Sequence, residues 1–210
     1  MTEIGHSAFA GCSSLIEITI PQNITTIDNL TFANCSILML TIPDSVIKIG
    51  ILAFFDCRCL VNIIIPDSVR EIGHGAFAGC ISLTEVTIPD SVTEIKGETF
   101  FHCARLSKID IPNNVTRIGD SAFYGCSSLK QITLPDSVTE IGGKAFAECN
   151  SLSYVVVMNR LVDLSKSMIN YYVDKNGLYR KKDDIVIKGY KDSTAEQYAK
   201  EHGFKFVPLD

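Results

Sequence analysis

The sequence predicts a solenoid of stacked coils, about 23 residues to the coil, with a ladder of short parallel strands along it. Two observations carry that prediction: three residue types recur in one shared register, and each recurrence encloses the same succession of strand, turn and return segment. Proline stands at 21, 43, 66, 89, 112 and 135, cysteine at 12, 35, 57, 80, 103, 126 and 149, and phenylalanine at 9, 32, 54, 77, 100, 123 and 146. Each step is 22 or 23 residues. Self-similarity at one period of this length marks a repeat architecture. The shorter step has a local cause, since Ser36 alone separates Cys35 from Ile37 where Ser13 and Ser14 separate Cys12 from Leu15. A residue lost from a loop is tolerated better than one lost from a strand.

The elements of one coil can be read in order. Leu83-Thr84-Glu85-Val86-Thr87-Ile88 carries apolar residues at its first, fourth and sixth positions and reads as a strand with Leu83, Val86 and Ile88 inward. Pro89 ends it, because proline fixes φ and has no donor, and Pro-Asp-Ser is turn chemistry. The chain returns through Val92-Thr93-Glu94-Ile95 on the opposite wall, with Val92 and Ile95 inward. Glycine follows that isoleucine at 50, 73, 119 and 142, where a left-handed or tight backbone is expected; Asp28 and Lys96 replace it in two coils. The stretch 76–80, Ala-Phe-Ala-Gly-Cys, reads as one helical turn that plugs Phe77 and Cys80 into the interior. A single coil buries too little apolar surface to offset the entropy of ordering it, so coils must stack to be stable.

The motif Ile-Pro-Asp-Ser-Val-x-x-Ile-Gly-x-x-Ala-Phe-x-x-Cys-x-x-Leu-x-x-Val-x-Ile, taken from residues 65–88, resembles the BspA-type leucine-rich repeat, also called the Treponema pallidum type. The resemblance covers roughly residues 2 to 157. It implies a right-handed leucine-rich repeat solenoid with one strand ladder on a concave face and no enzyme activity. It also implies a secreted or cell-surface location, and a role as an adhesin that contacts a host matrix or cell-surface protein.

Two segments are expected on this basis, the repeats over 1–157, about seven coils, and a capping region over 158–210. Met1-Thr2-Glu3-Ile4-Gly5 occupies the place of Val138-Thr139-Glu140-Ile141-Gly142, so the first coil is expected to be truncated, within a longer parent. Past Val157 the pattern fails, with Met158 where proline is due. Ser193-Thr194-Ala195-Glu196 reads as a capping box that starts a helix ending near Gly203. The flanking runs 185–187 and 204–207 read as strands, which gives a β-α-β finish; the resemblance implies a similar closing helix.

Composition narrows the function. The 46% hydrophobic content supports a packed core, and no apolar run approaches the roughly 18 residues of a membrane span. With a net charge of −5, and the basic cluster Arg180-Lys181-Lys182 followed at once by Asp183-Asp184, neither nucleic acid nor an anionic membrane is an expected partner. Residues 1–5 read as repeat, without the basic and apolar regions of a secretion leader.

Sites of chemistry are scarce. Seven cysteines in one register form a column at about 4.8 Å spacing, which is compatible with disulfides, yet the interior position and odd number favour buried free thiols. A linear column does not converge on zinc, and Cys59 beside Cys57 makes only a Cys-x-Cys fragment. His6, His74, His102 and His202 are scattered, so no cofactor or metal is expected. Asn23, Asn29, Asn34 and Asn114 begin glycosylation sequons, a by-product of a threonine-rich repeat. Irregularity sufficient to hide a pocket occurs only in 158–184, with Tyr171, Tyr172 and Tyr179.

The outward strand positions are the ones the repeat leaves free. Ile16, Leu38, Met39, Val61 and Ile64 cluster there on the first three rungs, whereas later rungs are polar. Contiguous exposed apolar residues mark contacts more often than scattered ones do. The expectation is a protein contact, for a ligand or for a second copy of the solenoid; drift toward strand-favouring residues, or burial against a region preceding Met1, is the competing account. A structural spacer displaying another domain is the alternative function.

Overall fold

In a computed structural model that describes residues 3–167, 169, 171–182 and 184–210, the chain winds into a solenoid whose coils hydrogen-bond in parallel. Met1 and Thr2, which open the first repeat, Asp183, which follows the basic cluster, and the Tyr179 side chain lie outside the described residues. The front wall carries Met39–Thr41, Asn62–Ile64, Glu85–Thr87 and Lys108–Asp110 in one sheet. A second front sheet follows, of Gln131–Leu134, Tyr154–Val157, Val186–Gly189 and Lys205–Pro208. The inner positions read from the motif are buried, with Leu83, Val86 and Ile88 at most 5% exposed.

The expected single ladder is one of two. The return segments also pair in parallel, as Glu3–Ile4, Thr26–Ile27, Lys48–Ile49 and Glu71–Ile72, then as Glu94–Ile95, Arg117–Ile118 and Glu140–Ile141. Glycine after the isoleucine makes this close pairing possible through lack of bulk, and none of the four takes a left-handed φ. A Cβ on Gly73 would lie 2.4 Å from the carbonyl carbon of Gly50, and one on Gly119 would lie 2.4 Å from the Gly97 nitrogen. The break in this ladder, between Glu71–Ile72 and Glu94–Ile95, falls at the coil where Lys96 replaces glycine.

The segment read as a helical turn forms a third wall instead. The N–H groups of Ala76, Ala78 and Cys80 close turns on Gly73, Gly75 and Phe77 at 3.1, 3.0 and 3.1 Å. Those of Gly75, Phe77 and Gly79 point the other way and donate to Gly97, Thr99 and Phe101 of the next coil at 3.0, 3.0 and 2.7 Å. A helix would spend every one of these donors inside its own coil. Left-handed residues bracket the segment, Gly75 and Gly79 here but Glu98 and His102, at φ 56° and 53°, one coil on. For a residue with a Cβ that conformation costs about 1–2 kcal/mol, which the bonds between coils offset.

Inside, Phe9, Phe32, Phe54, Phe77, Phe100, Phe123 and Phe146 form one continuous stack, with ring centroids 5.4–5.7 Å apart and planes within 12° of parallel. The front ladder does not stop at Val157. It continues through Val186–Gly189 and Lys205–Pro208 in parallel register, so residues after 157 extend the same wall. The helix spans Thr194–His202, with Ser193 as N-cap accepting from the Glu196 N–H and Gly203 left-handed at its end. The return half of the box is displaced by one residue: Glu196 accepts from the Asp192 N–H at 2.7 Å, ahead of the cap residue. Lys205–Pro208 lies at one side of its four-stranded sheet, with a charged residue and a proline at its two ends. A hairpin of Tyr171–Val173 with Tyr179–Lys181 fills the irregular region.

Candidate protein-contact surface

On the front wall each strand turns its central residue inward and its two neighbours outward, so the surface is written by the outward columns. One column is joined rung to rung by backbone bonds. Leu38 N–H donates to Ile16 O at 3.1 Å, Val61 N–H to Leu38 O at 2.8 Å, and Thr84 N–H to Val61 O at 3.2 Å. Beside it, Met39 faces Asn62 and Thr41 faces Ile64 in register. All five expected contact residues are outward and together: Ile16 is 57% exposed, Leu38 47%, Met39 67%, Val61 41% and Ile64 57%. They border a shallow groove lined by Glu17, Thr19, Gln22, Met39, Pro43 and Ile64. The first rung, read as a strand like the others, is not one; it follows the second without forming its own ladder strand.

Some exposed apolar residues escape the column reading. Ile81, at the corner before Leu83, is exposed, as are Ile47 and Ile51 on the other walls. The clue to Ile81 is that serine or a charged residue usually holds that corner, as at Ser13, Arg58 and Ser127. At the far end of the front wall Tyr154 is also exposed, with the Lys188 ammonium 5.4 Å from its ring centre.

Charge is distributed unevenly over the walls. The return ladder pairs its charges, Lys48 and Lys96 on Glu71 at 3.0 and 2.5 Å, and Arg117 on Glu94 and Glu140 at 2.6 and 3.2 Å. Those bonds hold the Glu71 carboxyl below its usual range, chiefly through Lys96 and then Lys48. Around the apolar patch, Glu17, Asp44, Asp67 and Glu85 are exposed and join none of the ion pairs among the described residues.

The buried part of the cysteine column offers no reactive centre. All eight cysteines are free thiols. In the column, Cys35, Cys57, Cys80, Cys103, Cys126 and Cys149 each donate to a phenylalanine carbonyl of the preceding coil, Cys80 to Phe54 at 3.2 Å and Cys103 to Phe77 at 3.2 Å. Burial pushes the Cys57 and Cys149 thiols up to about 12, and Cys80, Cys103 and Cys126 upward as well. At neutral pH they are neither nucleophiles nor metal ligands. Histidines, cysteines and carboxylates form no metal-holding group among the described residues, and no described helix is long and apolar enough to cross a membrane.

A parallel solenoid with a 23-residue coil and a side-chain-bearing front wall defines a repeat protein of the leucine-rich class. The family model of the BspA type leucine rich repeat region matches in six copies, over residues 1–93 and 48–173. The chain belongs to that family. Among solved structures, a leucine-rich repeat protein from Bacteroides ovatus is similar at 25% identity and a TM-score of 0.70, over 99% of this chain and 58% of that one. The chain therefore spans 58% of that relative's length. The Treponema pallidum leucine-rich repeat protein shares the fold at 23% identity and a TM-score of 0.62, over 93% of this chain and 96% of its own. A leucine rich cell surface protein from Faecalibacterium prausnitzii is 26% identical with a TM-score of 0.53, over 85% of this chain and 62% of that one. No curated protein matches the sequence.

Proposed function

We propose that the chain is a non-catalytic protein-binding module, adhesin-like and displayed at a cell surface or secreted, that uses the outward face of its front ladder. The observation that carries this reading is the contiguous exposure of Ile16, Leu38, Met39, Val61 and Ile64 on adjacent rungs. Leucine-rich repeats generally mediate protein contacts, and the similar Faecalibacterium chain is a cell surface protein. A rigid ladder presents side chains in rows, so that affinity accumulates from many modest contacts without movement of the scaffold. Replacing Leu38 with Glu and Val61 with Lys leaves the inward residues untouched and tests the reading. The double variant keeps the circular dichroism and unfolding curve of the parent but loses attachment to host-cell or matrix protein; unchanged attachment refutes the role of this face.

The unbroken phenylalanine stack favours a second reading, a stiff spacer that displays another domain. Under that reading the same variant behaves as the parent in every binding assay.

A further inference from the structure

The patch reads as apolar, but its border is acidic, and the border chooses the partner. Glu17 adjoins Ile16 on the first rung, and Glu85 stands in register with Asn62, one rung beyond the patch. Asp44 and Asp67 follow the prolines that end the second and third rungs and are exposed along that edge. Among the described residues these rungs carry no lysine or arginine, and Arg58, at the corner before the third rung, is held by Asp56 at 3.0 Å. Four carboxylates therefore border five apolar side chains, with no cation among the described residues of the same rungs. Lysines appear on the front wall, among the described residues, only farther along, first at Lys108, which is paired with Asp110 at 3.3 Å, then at Lys130, Lys188 and Lys205.

Deepening the proposed function and resting on it, we infer that the occupant of this face is a foreign protein segment whose apolar residues are flanked by lysine or arginine, rather than a second copy of this chain. A two-fold pairing of identical patches brings carboxylates against carboxylates, and like charges across an interface oppose association. A basic border on the partner turns the same carboxylates into attractive contacts and speeds encounter. The apolar centre supplies the area removed from water, and the acidic rim supplies selection.

The test is selection from a displayed random-peptide library on the intact chain, with counter-selection on the Leu38→Glu, Val61→Lys variant. Enriched peptides are expected to combine apolar residues with more Lys and Arg than Asp and Glu. For the best synthetic peptide, the Glu17→Lys, Glu85→Lys variant weakens binding about tenfold, as does raising salt from about 50 to about 300 mM. Patch-dependent peptides with no basic excess, or with affinity indifferent to charge reversal, overturn this inference while leaving the proposed contact standing. Failure to obtain any patch-dependent peptide removes the proposed contact and this inference with it. A concentration-dependent dimer in sedimentation that disappears in the Leu38→Glu, Val61→Lys variant overturns the choice of a foreign partner.

Discussion

Substituting alanine for Gly73 introduces a single methyl group where two coils meet. Its carbon would stand 2.4 Å from the Gly50 carbonyl carbon and 2.5 Å from the Gly50 oxygen and the Ile51 nitrogen. These are backbone atoms just past the Lys48–Ile49 strand, so no side chain can swing aside and the coils must part. Overpacking of this kind costs about 1–3 kcal/mol and occasionally more. Gly5 provides the control, since it holds the same place in the first coil with nothing within 4 Å of its added carbon. There alanine should be neutral or stabilise by about 0.4–1 kcal/mol, because it restricts the unfolded chain. Urea unfolding of the two variants, followed by far-ultraviolet circular dichroism, should separate them by about 1–4 kcal/mol. Equal midpoints would refute the argument that crowding between coils, rather than backbone conformation, demands glycine.

Thr99 is buried and donates to the Lys96 carbonyl at 2.7 Å, while its N–H reaches the same oxygen only at 3.4 Å. Thr99→Ala should therefore cost about 1 kcal/mol in chemical denaturation. Phe77→Ala opens the centre of the aromatic stack and should cost about 3–5 kcal/mol; Phe9→Ala, at the partly buried end, should cost clearly less in the same experiment. Native-state alkylation at pH 8, read by mass spectrometry, should label Cys12 and Cys59 and spare the buried column until the chain unfolds. Glu71 has a lowered pKa in the folded state, so its ion pairs stabilise above the ordinary glutamate range, and that contribution disappears as pH falls through the lowered value. Glu71→Gln should flatten this part of the acid limb, and added salt should shrink the difference between the two proteins.

The repeat register, the inward residues and the closing helix are legible in the chain because each follows from local spacing. Phe77, Cys80, Leu83, Val86 and Ile88 recur at fixed intervals, and Ser193 and Gly203 are cap residues whose chemistry acts within one turn. The 75–80 wall is less legible. Ala-Phe-Ala-Gly-Cys suits a helical turn as well as it suits alternating donors, and the choice falls to the carbonyls of Gly97, Thr99 and Phe101 in the next coil. Nor does the glycine after the isoleucine declare its reason, since a left-handed turn and a close approach select the same residue.

Of the candidate surface, the outward columns can be written down from the period alone, and Ile16, Leu38, Met39, Val61 and Ile64 are exposed where those columns place them. Ile81 lies at a corner, outside any strand column, where the only signal in the sequence is the serine or charged residue that usually holds that place. The acidic border emerges only once the walls are folded, because Asp44 and Asp67 sit in turns while Glu17 and Glu85 sit on rungs.

By itself the sequence determined the period, the residues that fill the interior and the family, since these depend on intervals within one coil. Only the tertiary structure decided the second ladder, the third wall, the thiol bonds to phenylalanine carbonyls and the continuation of the front wall through Val186–Gly189 and Lys205–Pro208. The physical reason is that those features are hydrogen bonds between coils, whose partners lie a full repeat or more apart in sequence. Their geometry exists only after the coils have stacked.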